Sequence, residues 1–90
     1  MHRVSGPYRG YFIGAYTRHT KAGFVGYGKV FISRPEKAWR AEGVTGELVS
    51  SAYPNELQAL VAAEHKVRME IDQLPPSWDP FTAPGLLDSP

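Results

Sequence analysis

Between Tyr8 and Ile32 the chain is dominated by aromatic, β-branched and glycine residues, with polar residues clustered at Thr17-Arg18-His19-Thr20-Lys21. A run of strand formers broken once by a polar cluster predicts two β-strands joined by a loop that ends at Gly23. Side chains alternate across a strand, so pairing Thr17 with Phe24 sorts the hairpin into two faces. Tyr11, Ile13 and Ala15 share one face with Phe24, Gly26, Gly28, Val30 and Ile32, which is apolar and partly flat. Tyr8, Phe12, Tyr16 and Arg18 share the other with Val25, Tyr27, Lys29 and Phe31, which is aromatic with basic edges.

Beyond Arg34-Pro35, the alternating segment Val44-Thr45-Gly46-Glu47-Leu48-Val49 predicts a third strand. At Pro54 the apolar period changes from that of a strand to that of a helix, which Pro75 forbids from continuing past Leu74. Leu57, Leu60, Ala63, Val67, Ile71 and Leu74 then fall on one stripe, with Gln58, His65, Lys66 and Asp72 elsewhere. Ala59, Ala62 and Ala63 keep that helix slim, matching the flat patch that Gly26 and Gly28 leave on the sheet. The expected fold is an α+β domain over residues 1–74: a three-stranded antiparallel β-meander with one long amphipathic α-helix packed on one face. A tail over 75–90, with five prolines, is expected to be irregular or docked through Trp78 and Phe81.

A chain of 90 residues has room for one small core. It contains no cysteine, so disulfides and thiolate chemistry are excluded, and the expected setting is the cytoplasm. No apolar run approaches a membrane span or a signal peptide, so neither a membrane nor export is expected. The net formal charge of +1 hides a sharp division. Residues 1–40 carry eight basic side chains against one acid, Glu36, whereas 41–90 carry eight acids against Lys66 and Arg68. Such asymmetry can produce a surface that faces a polyanion.

The aromatic and basic sheet face is therefore the first candidate site. Bases stack on Tyr and Phe, at about 1–3 kcal/mol each, while Arg and Lys neutralise phosphates. Tyr8, Phe12, Tyr16, Arg18, Lys21, Tyr27, Lys29, Phe31 and Arg34 are the candidate nucleic-acid-binding residues, for DNA or RNA. The alternative is a protein-interaction or self-assembly surface, closed by another protein, by a second copy or by the tail. Three strands followed by a helix is similar to the layout of AP2-type and integrase-arm DNA-binding domains, and Tyr8-Arg9-Gly10 resembles the opening of the AP2 pattern. That resemblance implies a sheet placed in the DNA major groove; the pattern's tryptophan motif is missing at Glu47-Leu48-Val49. Trp78-Asp79-Pro80-Phe81 resembles the aspartate-proline-aromatic peptides captured by adaptor appendages.

Nothing points to catalysis. Glu64 lies within the helical stripe with Arg68 one turn on, which predicts an i,i+4 ion pair at the stripe's edge. His2, His19 and His65 are too scattered to gather round a metal. The glycines at 23, 26 and 28 lie within a strand rather than between a strand and a helix, so no phosphate cradle is expected. No cofactor is expected, and the chain reads as a non-catalytic binding module.

Overall fold

The computed structural model describes residues 1–37 and 42–75. Five elements follow in order: β1 (His2–Tyr8), β2 (Tyr11–Thr20), β3 (Gly23–Phe31), β4 (Leu48–Tyr53) and α1 (Glu56–Ile71). The strands form one antiparallel sheet in the order β1-β2-β3-β4, with α1 across one face. The α+β class is as expected, but the sheet has four strands rather than three. The additional strand is β1, whose alternation is broken at Gly6-Pro7, where the register with β2 shifts. A proline at a bulge of an edge strand removes no ladder hydrogen bond, so the pairing survives what hides it in the sequence. Arg9 and Gly10, both at positive φ (53° and 86°), make the two-residue turn that joins β1 to β2.

In the β2–β3 hairpin Thr17 pairs with Gly26 and His19 with Phe24. The register thus differs by two residues from the Thr17–Phe24 pairing, an even shift that leaves the side chains paired between β2 and β3 on their expected faces. Polar residues up to Thr20 stay in the ladder. The Thr20 hydroxyl accepts from the Ala22 N–H (3.2 Å) and donates to the Gly23 carbonyl (2.8 Å), closing a turn of Lys21 and Ala22 alone.

Strand β4 begins at Leu48, so Val44-Thr45-Gly46-Glu47 belongs to the connection and not to a strand. The Val44 N–H donates to the Val30 carbonyl (2.6 Å), which turns this connection back along the edge of β3. At the register shift between Val25 and Tyr27, the Ser50 hydroxyl accepts the Gly26 N–H (2.8 Å) in place of a backbone partner.

Asn55 caps α1 by accepting from the N–H groups of Leu57 (2.8 Å) and Gln58 (3.2 Å), so Pro54 precedes the cap rather than entering the first turn. The helix buries Ala59, Leu60, Ala63, Val67 and Ile71 against Ile13, Ala15 and Val30 of the sheet. Leu74 packs against the same core beyond the helix end. Leu57 does not join them: at 100° per residue it lies about 80° round from Val67 and stays half exposed. Helix and sheet approach so closely that a Cβ on Gly26 would collide with the Ala59 carbonyl, and one on Gly28 with a Val67 methyl. Among the described residues no helix is long and apolar enough to cross a membrane.

Candidate nucleic-acid interface

The charge division along the sequence becomes, first of all, a set of contacts within the molecule. Strand β1 is basic and lies on one flank of the acidic helix. Down that flank the Met1 amine meets Glu56 (3.2 Å), Arg3 meets Glu64, and Arg9 meets Asp72 (3.4 Å). Glu64 is 3% exposed, and its carboxylate accepts from Arg3 Nε (2.8 Å) and from Arg3 Nη2. It is therefore the buried partner of a residue on the far edge strand, not of Arg68 on its own helix. The short bonds to Glu64 hold the Arg3 guanidinium above its usual pKa. Beside this ladder, the Thr17 hydroxyl donates to Glu56 (2.7 Å) and, with the Met1 amine, keeps that carboxyl below its ordinary value.

Tyr8 belongs to this flank and not to the aromatic face. The turn at Arg9-Gly10 makes Tyr8 the last residue of β1, opposite Tyr11 on the helix-covered side. Its hydroxyl donates to Asp72 (2.8 Å), which raises its pKa. The residues that resemble the AP2 opening thus hold the helix end, so Tyr8 and Arg9 face their own chain.

On the open face, turned away from α1, pairing sets Phe12 opposite Phe31, Tyr16 opposite Tyr27, Arg18 opposite Val25 and Lys29 opposite Gly14. Tyr16 and Tyr27 stack with centroids 5.1 Å apart and planes 15° from parallel. The Arg18 guanidinium lies 5.8 Å from both ring centroids, and that of Arg34 lies 5.4 Å from the Phe12 centroid. Six of the candidate residues are therefore gathered together: Phe12, Tyr16, Arg18, Tyr27, Lys29 and Arg34. Phe31 belongs to the same face but is buried, bordered by Gly43 and Val44 of the connection. Lys21 stands in the exposed turn at the hairpin tip, away from the rings. Trp78 and Phe81 lie outside the described residues.

Glu47 is the feature that sequence reading missed, because it sits in what resembles a strand. Its carboxylate accepts from the Tyr16 hydroxyl (2.6 Å) and lies 3.6 Å from Lys29 Nζ. Burial, reinforced by this bond, pushes the Tyr16 hydroxyl up to about 12 from an ordinary 10.0. A hydroxyl held protonated in the fold stabilises it fully below pH 10, and that contribution disappears as pH rises through about 12. Ultraviolet titration of a Glu47→Gln chain is expected to show one tyrosine ionising earlier than in the parent. Identical titrations would dismiss the bond.

The arrangement offers flat π-surfaces backed by guanidinium groups, a lysine, and one carboxylate already seated among them. No protein-family model, curated protein or solved structure matches the chain.

Proposed function

We propose that the chain is a small non-catalytic module that binds single-stranded nucleic acid, DNA or RNA, on the open face of its sheet. The observation that carries this reading is the seating of Arg18 over Tyr16 and Tyr27 and of Arg34 over Phe12, on the face turned away from α1. Each guanidinium can release a ring face to a base and turn its charge toward the flanking phosphate. Only unpaired bases present their faces, so a single strand suits this surface better than a duplex. Tyr27 and Phe12 supply partly exposed ring surface, and the buried Tyr16 stacks on Tyr27.

If Arg18, Lys29 and Arg34 each neutralise one phosphate, the affinity for a single strand falls with salt on a logarithmic slope of about −2. Tyr27→Ala is expected to weaken binding by about 1–3 kcal/mol through lost stacking. Arg18→Glu with Arg34→Glu weakens it further and flattens the salt slope, whereas Glu47→Gln strengthens it by about 1 kcal/mol by removing a resident negative charge. Fluorescence titration with labelled oligonucleotides at two salt concentrations reads all of these. Binding that is absent at low salt, or indifferent to Tyr27, would end this reading.

A second reading, contact with another protein or a second copy, draws on Val49. It is 45% exposed beside Tyr27 on the same face, an apolar extension that stacking does not use. A mass that rises with concentration in sedimentation, and falls back in a Val49→Lys chain, would favour it.

A further inference from the structure

A carboxylate repels phosphates, yet Glu47 stands among the rings of the open face. Its side chain is 33% exposed, and Lys29 Nζ, 3.6 Å from Oε2, offsets part of its charge. Oε2 accepts the Tyr16 hydroxyl (2.6 Å), and Oε1 accepts no hydrogen bond among the described residues. A carboxylate has about four acceptor sites, so both oxygens keep capacity for further donors.

The geometry fixes which part of a base would meet it. Strand order sets Tyr16 on one side of Tyr27 and Val49 on the other. Tyr16 stacks on Tyr27, so a base added to this pair takes the Tyr27 ring face that looks toward β4. Glu47 is held at the hydroxyl end of Tyr16, which is the rim of the stack. Its carboxylate therefore faces the edge of the added base and not its plane.

The edges of the bases differ in what they offer a carboxylate. Guanine alone presents two adjacent donors, N1–H and the N2 amine, spaced to meet both oxygens at once. Adenine and cytosine each set one amine beside a ring nitrogen that repels the carboxylate. Thymine and uracil set one N–H between two carbonyl oxygens. These edges are accessible in a single strand, where no complementary base covers them.

We propose that Glu47 is the specificity-determining residue of the open face, selecting guanine by accepting N1–H and the N2 amine of a base stacked on Tyr27. A base without that pair of donors must push the carboxylate aside. The Tyr16 hydroxyl positions the acceptor before the strand arrives. This inference rests on the single-strand binding proposed above, and it adds base selection to it.

The test is fluorescence anisotropy of the full chain with labelled five-residue DNA strands at low salt. Each strand is thymidine throughout except at its centre, which is guanosine, inosine, adenosine, cytidine or thymidine. The guanosine strand is expected to bind about tenfold more tightly than the adenosine, cytidine and thymidine strands, as one bidentate contact provides. Inosine, which lacks the N2 amine, should fall between. In a Glu47→Gln chain the guanosine preference should vanish while the thymidine strand binds at least as well as before. Equal affinities across the strands overturn this inference and leave the proposed function standing. A guanosine preference that survives in Glu47→Gln also overturns it, because another group then reads the base. Absence of binding to every strand removes the proposed function and this inference with it.

Discussion

A Gly26→Ala chain is expected to lose about 3 kcal/mol of stability, a large share of the about 5–10 kcal/mol that a domain of this size has in hand. The added Cβ would strike the Ala59 carbonyl, approach the Ala59 carbonyl carbon to 2.8 Å and meet the Ala63 Cβ at 2.9 Å. Two of those atoms are helix backbone and the third is fully buried, so no side chain can swing aside. The helix itself must lift, and in lifting it uncovers Leu60 and Val67, which are 1% and 0% exposed. Gly28→Ala is expected to follow, against a Val67 methyl and the Ala63 carbonyl. Gly46, with nothing within 4 Å of its Cβ position, provides the control. In urea, Gly26→Ala should move the unfolding midpoint far below that of Gly46→Ala. Equal midpoints would mean that helix and sheet are not packed at this distance.

Breaking the Arg3–Glu64 pair is expected to rank next. Glu64 lies beside the helix core stripe and, among the described residues, its carboxylate rests on Arg3, so Arg3→Met leaves a buried charge without that compensation. Such losses cost about 3–5 kcal/mol, and the half-exposed guanidinium places this one toward the lower end. Replacing both partners with apolar residues removes the need for compensation. Arg3→Met with Glu64→Leu should therefore recover most of the stability that Arg3→Met alone loses. A single variant as stable as the parent would show that water, not Arg3, satisfies Glu64. A double variant no better than the single one would show that the loss comes from packing of the Arg3 stem.

These two sites differ in how far the sequence announces them. The meeting of Gly26 and Gly28 with Ala59 and Ala63 is legible because small residues fall on facing surfaces at strand and helix periods. The faces of the hairpin are legible too, since a two-residue register shift cannot exchange them. Strand β1 is not: Gly6-Pro7 interrupts its alternation, and without it Arg3, Tyr8 and Arg9 have no visible partners on α1. The same gap explains why the opening forty residues read as a cationic surface when three of their positive groups, the Met1 amine, Arg3 and Arg9, in fact bind helical acids. Glu47 reads as part of a strand because Val44 to Val49 alternates, whereas β4 begins at Leu48. The Val44 N–H instead donates to the Val30 carbonyl, a long-range bond that no local pattern encodes.

The open face then gathers Arg18 and Arg34, together with Lys29 in its pair with Glu47, beside Phe12, Tyr16 and Tyr27. Its use as a binding surface for unpaired bases is tested most directly by titrating isotope-labelled protein with a short single-stranded oligonucleotide at low salt. Backbone amide shifts in the nuclear magnetic resonance spectrum are expected at Phe12, Arg18, Tyr27, Lys29 and Arg34, with Glu47 responding as its carboxylate is displaced. Shifts confined to α1, or no shifts at all, would contradict the account.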